Sequence, residues 1–315
     1  MSDSPRRIAS LLASGTEILY ALGLGERVVA VSHECDFPPA ALGKPRVTTS
    51  HVAAPTSAEI DSQVREMLAA GQALYAIDAA RLVELAPDLI VTQAQCDVCA
   101  VRYEDVLALV RDEPALRRTH VVALNPMTLA DIFADIRRVG EACGASDVAQ
   151  EYVASLERRV AAIRAKTIDL SIDDRPRVAA IEWIEPLMLA GNWMPELLEL
   201  AGGRQPLAGH GRHSTYNSWR DVVDFDPQVL LVMPCGFDLA RAVDESDSLA
   251  RQAGWSDLAA MRAGRVFALD GNAYFNRSGP RIVDSLEIVA ALVHPELFGI
   301  PPEVRDGIRV WQRIA

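Results

Sequence analysis

Leu11-Leu-Ala-Ser-Gly-Thr-Glu-Ile-Leu-Tyr-Ala-Leu-Gly-Leu-Gly25, followed by Val31-Ser-His-Glu-Cys-Asp-Phe-Pro-Pro39, is the stretch that decides the fold. Arg7 to Leu12 is a short apolar run of strand length. Thr16 to Leu22 then carries helical spacing and stops at Gly23, a residue suited to the left-handed helix terminus. Ser14-x-x-Glu17 has the form of a capping box for that helix. Arg27 to Ser32 is a second apolar strand, and a polar loop ending in Pro38-Pro39 follows it. Strand, helix and strand in this order read as a parallel βαβ unit.

Working outward, the same rhythm continues. Helices are expected over 56–70, 78–85 and 101–110, with strands at Leu89 to Thr92 and Val121 to Leu124. From 128 to about 168 the pattern is helical throughout: Leu129, Ile132, Phe133, Ile136 and Val139, then Val153, Leu156, Val160 and Ile163. Gly140 and Gly144 mark places where this helix bends. Strand and helix alternation then resumes, with strands at Val178 to Glu182, Val229 to Val232 and Val266 to Leu269 and helices at Pro195 to Leu200 and Arg281 to Leu292. The expected fold is α/β: two Rossmann-like lobes with parallel sheets, 1–127 and 169–315, joined by a long connecting α-helix over 128–168. The ligand cleft then lies between the lobes, beyond the carboxyl ends of the strands.

Composition narrows the function. The chain has 315 residues, 50% hydrophobic and 23% charged, with a formal net charge of −12, which argues against nucleic acid and anionic membranes as partners. Charges such as Glu17 and Arg27 interrupt every long apolar run, so a membrane-embedded protein is not expected. Arg6-Arg7 ahead of Ile8 to Gly15 has the order of a basic and apolar leader, yet Thr16-Glu17 opens a helix instead of a cleavage segment. As the sequence stands it reads as cytoplasmic, and as periplasmic or extracellular if a leader was removed. Five cysteines do not form a disulfide framework.

The residues just past the expected strands concentrate chemistry. Ser32 leads into His33, Glu34, Cys35, Asp36 and Phe37; Thr92 leads into Gln93, Cys96 and Cys99. In the second lobe Glu182 precedes Trp183 and Glu185, Val232 leads to Cys235, and Leu269 leads to Tyr274, Phe275 and Arg277. Trp193 and the His210-x-x-His213 pair lie between.

Four motifs in this order are similar to the class III substrate-binding proteins of ABC importers, and most of all to the cobalamin-binding branch. They are Leu11 to Gly25 with Val31 to Pro39; Glu84-Leu-Ala-Pro-Asp-Leu-Ile-Val91; Phe225-Asp-Pro-Gln-Val-Leu-Leu-Val232; and Asn276-Arg-Ser-Gly-Pro-Arg-Ile282. The resemblance spans nearly the whole chain. It implies a non-catalytic protein that holds cobalamin, haem or a ferric chelate between its lobes and delivers it to an ABC permease, and it weakly favours a monomer. By the same resemblance, Asp36-Phe37 belongs to the first-lobe ligand loop and Gln93 stands where cobalamin binders have a tryptophan. Tyr274, Phe275 and Arg277 match the second-lobe ligand loop, with Trp183 as a further contact. Against the family pattern, no leader is expected in the sequence as it stands, and Cys99 falls near the expected first-lobe docking knob.

Two readings stay open for the thiols and aromatics. Cys35, Cys96, Cys99 and Cys235, with His33, His210 and His213, are ligand types for Zn or Fe, which would make this a metal-binding protein or a metal-dependent enzyme. Alternatively the cysteines are small buried hydrophobes. Trp183 and Trp193 are either a platform for a flat macrocycle or core packing. Glu182 and Glu185 have no accompanying catalytic motif, so an enzyme is the minor reading.

Overall fold

The computed structural model describes residues 4–95, 98 and 100–310. The first lobe runs β1 (Ile8–Ser10), α1 (Ala13–Ala21), β2 (Val28–Val31), β3 (Thr48–Ser50), α2 (Ser57–Ala69), β4 (Tyr75–Ile77), α3 (Ala79–Leu85), β5 (Leu89–Gln93), α4 (Tyr103–Asp112) and β6 (His120–Leu124). Its sheet has the order β2-β1-β5-β6 with every pair parallel, and β3 and β4 form a separate antiparallel pair. Successive strand residues alternate between two apolar clusters. Ile8, Leu89 and Val91 join one, Ala9 and Ile90 the other, as a sheet covered on both faces requires.

The connection is α5 (Leu129–Ala142) followed by α6 (Ser146–Thr167). The expected single helix over 128–168 is thus two helices. Cys143 caps α5, Gly144 takes a positive φ of 67°, and the chain restarts at Ser146. The apolar face Leu129, Ile132, Phe133, Ile136 and Val139 on α5 and Val153, Leu156 and Ile163 on α6 belong to one cluster shared with both lobes. Arg159 of α6 also pairs with Asp284 and Glu287 at 2.5 and 2.7 Å.

The second lobe runs β7 (Val178–Trp183), β8 (Met188–Leu189), α7 (Met194–Leu200), β9 (Thr215–Tyr216), α8 (Trp219–Phe225), β10 (Val229–Val232), α9 (Leu239–Leu249), α10 (Ala259–Arg262), β11 (Val266–Leu269), α11 (Ile282–Val293) and β12 (Ile308–Val310). Its sheet order is β12-β11-β10-β7-β8-β9. The central β11, β10 and β7 are parallel, while β12, β8 and β9 are antiparallel additions at the edges, so this sheet is mixed. Val178, Ala180, Val229 and Leu231 face the shared cluster; Ala179, Ile181, Leu230 and Val232 face a second.

Helix α1 starts two residues earlier than the capping box predicts. Its N-cap is Leu12, which makes no side-chain cap, and Ser14 already lies inside the helix. Glu17 is 3% exposed and its carboxylate does something else.

Candidate functional site

Loops from the carboxyl ends of the parallel strands of the two sheets meet between the lobes. After β2, the loop Ser32 to Phe37 is held by the second lobe. Arg277 Nη1 donates to Asp36 Oδ1 at 2.5 Å and to Glu17 Oε1 at 3.1 Å; Nη2 donates to Asp36 Oδ2 at 3.0 Å, Asn272 Oδ1 at 2.9 Å and the Glu34 carbonyl at 3.3 Å. Asn272 also donates to Asp36 Oδ2 at 3.0 Å. Burial would raise the Asp36 carboxyl, but Arg277 holds it below its ordinary value. Burial likewise works against the Arg277 charge, and Asp36 and Glu17 more than offset it, raising its pKa. One turn on, Arg281 forks onto the same Glu17 through Nε at 3.0 Å and Nη2 at 2.6 Å.

The second-lobe half of this junction is built by a tight turn. After β11, Gly271 to Phe275 forms a single π-helical turn capped by Asp270, which accepts from the Ala273 amide at 2.7 Å. Gly271 is required there, because a Cβ would come within 2.8 Å of the Met233 carbonyl oxygen. The turn leaves Tyr274 half-buried and Phe275 fully buried.

A second set of contacts joins the lobes. Glu245 of α9 accepts from the Ser57 amide at 3.2 Å and the Ser57 hydroxyl at 2.7 Å, at the start of α2. Arg241 donates to the Pro55 and Ala54 carbonyls at 2.6 and 3.3 Å while its guanidinium lies 3.6 Å from the centre of the Phe237 ring. Tyr216 donates to Asp61 at 2.9 Å.

The structure brings only part of the expected residue set together. Asp36, Phe37, Tyr274 and Arg277 form one cross-lobe cluster, with His33 beside it. Nδ1 of His33 lies 2.7 Å from Thr48 Oγ1, and Nε2 is 3.3 Å from the Glu34 carboxylate. The hydrogen bond from His33 draws the Glu34 carboxyl below its ordinary value. Trp183 is half-buried, donates to the Glu185 carbonyl at 3.1 Å and meets Phe237 edge-on at 5.4 Å. Gln93 is buried and its side-chain oxygen accepts from the Gln95 amide at 2.7 Å. His210 lies 2.7 Å from Glu199 and His213 is exposed on the same loop.

Several expected contacts belong to the core instead. Trp193 is 5% exposed and donates to the Phe275 carbonyl at 3.0 Å, so it pins α7 to the π turn and offers no face to a ligand. Phe275 is fully buried beside it. Cys35 is fully buried among first-lobe apolar residues, with its sulfur 3.0 Å from Thr16 Oγ1, and desolvation raises its thiol pKa. That orientation removes it from a metal site facing the cleft. Cys235 is exposed at the end of β10, with its amide donating to the Glu182 carbonyl at 2.9 Å. Cys96 and Cys99 lie outside the described residues. Among the described residues, no group of three or more His, Cys, Asp or Glu side chains is arranged to hold a metal ion.

Glu182 itself sits at the end of β7. Its carboxylate accepts from Ser214 Oγ at 2.8 Å, and Ser214 Oγ accepts from the Gly191 amide at 2.9 Å. Burial pushes this carboxyl up to about 7. The residues that sequence reasoning missed are Glu17, Arg281, Arg241 and Glu245, which join the lobes. The signal for Glu17 is a lone acid in an otherwise uncharged stretch from Ile8 to Gly25.

Comparison with known proteins agrees with this architecture. Residues 8–273 match the periplasmic binding protein family. The chain is 23% identical over 301 residues to an uncharacterized ABC transporter substrate-binding lipoprotein of Bacillus subtilis, covering 95% of this chain and 83% of that protein. It is 23% identical over 292 residues to the vitamin B12-binding protein of Vibrio cholerae, covering 90% and 87%. The apo periplasmic haem-binding protein of Roseiflexus sp. RS-1 superposes with a TM-score of 0.67 at 23% identity, covering 92% of this chain and 98% of that one. These relatives are binding proteins, not enzymes, and no helix among the described residues is long and apolar enough to cross a membrane. With two α/β lobes, a helical connection and a family match across most of its length, this chain belongs to the periplasmic binding protein family.

Proposed function

We propose that the chain captures a flat metal chelate, a corrinoid or a haem, between its lobes and presents it to an ABC permease. The observation that carries this reading is the grouping of aromatic surface at the interlobe junction. Phe37 from the first lobe is 40% exposed and Tyr274 from the second is half-buried, both against the Arg281 guanidinium, while Trp183 is half-buried at the end of β7 against Phe237. Rigid rings of this kind give apolar contact area at low entropic cost. The names of the relatives support the same ligand class, one binding vitamin B12 and another haem. They also favour work on the outer side of the cytoplasmic membrane.

Titration of the purified chain with cyanocobalamin and with haemin, followed by absorbance and calorimetry, tests the proposal. Saturable 1:1 binding of either at micromolar or tighter affinity is the expected result. Failure of both to bind, or loss of binding on Cys96→Ser/Cys99→Ser, would overturn the intact-chelate reading in favour of a thiolate site.

A further inference from the structure

Arg277 and Arg281 belong to one short turn of the second lobe, yet both act on the first. Arg277 directs its four terminal N–H groups to Glu17, Asp36, Asn272 and the Glu34 carbonyl, and its side chain is 7% exposed. Arg281, 13% exposed, gives Nε and Nη2 to Glu17 and lays its guanidinium 4.0 Å from the centre of the Phe37 ring, with Tyr274 at 5.5 Å on the same group. Gly279 between them lets the turn press against α1, since a Cβ there would stand 3.3 Å from Glu17 Oε2.

An acidic group on a ligand would have to compete with Asp36 and Glu17 for Arg277 and with the buried Glu17 for Arg281, and drawing either guanidinium away strips a buried carboxylate of one of its two cationic partners. Covering one face of Phe37 with a planar cation held by Glu17 fixes the ring and leaves the rest of it open. We infer that Arg277 and Arg281 are positioning residues, not ligand contacts: they hold the Glu34 to Phe37 loop so that Phe37 presents a pre-set aromatic surface to the cleft. Arg277 fixes the backbone and Asp36; Arg281 fixes the ring. This inference rests on the proposed capture of a flat chelate.

The test has two arms that fail separately. In ligand-free protein labelled with 4-fluorophenylalanine, the chain gives seven fluorine resonances, and Phe37 is identified by the one lost in Phe37→Leu. Arg281→Lys keeps a cation against Glu17 and so protects the fold, but removes the planar face. The expected result is a shift of the Phe37 resonance alone, with that of Phe237, stacked on Arg241, unchanged. An unmoved Phe37 resonance overturns the inference whatever the protein binds. In the second arm, haemin affinity falls about tenfold in Phe37→Ala and by a similar factor in Arg281→Met, the loss of one well-placed ring. The double variant is then no weaker than Phe37→Ala, because Arg281 acts through that ring. A multiplied loss of about a hundredfold would mean that Arg281 meets the ligand itself, and the inference fails. If the parent binds neither haemin nor cyanocobalamin, the chelate reading fails, and the fluorine arm still decides whether the loop is positioned.

Discussion

Glu17 and Arg281 stand 264 residues apart and meet in a two-point ion pair, with Arg277 as a third donor to the same carboxylate. Glu17 is 3% exposed, so this is a buried charge that, among the described residues, is balanced from the other lobe. Replacing it with Gln removes the carboxylate that pairs with Arg281 and one of the two that pair with Arg277, while both guanidinium groups remain buried. Removing one partner of such a pair costs about 3–5 kcal/mol. Glu17→Gln is therefore expected to lower stability in urea unfolding by about 3 kcal/mol. A loss under about 1 kcal/mol would show that the junction contributes little to holding the lobes.

The α2–α9 junction predicts a local effect instead. The Ser57 amide is one of the first N–H groups of α2, which have no partner within the helix, and Glu245 supplies the acceptor from the second lobe. Thr56 caps the same helix from within by accepting from the Glu59 amide at 3.3 Å. Glu245→Ala should thus leave α2 folded and speed hydrogen exchange at Ser57 by about tenfold, with β5 unchanged. Unaltered exchange at Ser57 would mean that the lobes do not close on each other there in solution.

The fold was legible because its signals are local. Strand-length runs such as Leu89 to Thr92 and helical periodicity such as Leu129 to Val139 depend only on near neighbours. The strands β8 and β9 have two residues each, too few for any periodic pattern, and they exist because β7 offers a partner to β8 and β8 in turn to β9. The break at Gly144 was marked by composition, whereas the choice between bend and break depends on packing. The site was only half legible. Asp36, Phe37, Tyr274 and Arg277 follow strands and were found by position, but strand ends carry core residues as well, and nothing local separates Trp193 from Trp183. Burial separates them, 5% exposed against half-buried. Glu17 was misread because Ser14-x-x-Glu17 satisfies a local motif, while its partners lie more than 250 residues away.

Glu182 gives a pH dependence of defined sign. Burial raises its pKa to about 7 from a reference of 4.5, so the folded chain keeps a proton that the unfolded chain has released. Stability therefore falls as pH rises from about 4.5 to about 7, and the penalty, on the order of 3 kcal/mol, is complete above that. Glu182→Gln keeps an acceptor for Ser214 without the charge. It should be more stable than the parent at about pH 8 and equal to it near pH 4, by urea unfolding at each. If Glu182→Gln is less stable at the higher pH, the ionised carboxylate is what the Ser214 contact needs.

The thiols test whether Cys35 can serve as a ligand at all. Thiolate is the form that binds metal and reacts with disulfide reagents. Desolvation raises the Cys35 thiol, though hydrogen bonds from Ser32 and Thr16 oppose it, and burial pushes Cys143 up to about 11. In a Cys96→Ser/Cys99→Ser background, both should stay unmodified by Ellman's reagent at about pH 8 while the chain is folded, and react at once in urea. Mass spectrometry of the modified peptides assigns each site. Rapid labelling of Cys35 in the folded protein would show that the loop from Ser32 to Phe37 opens. Arg277 and Arg281 would then hold it less firmly than their contacts with Asp36 and Phe37 require.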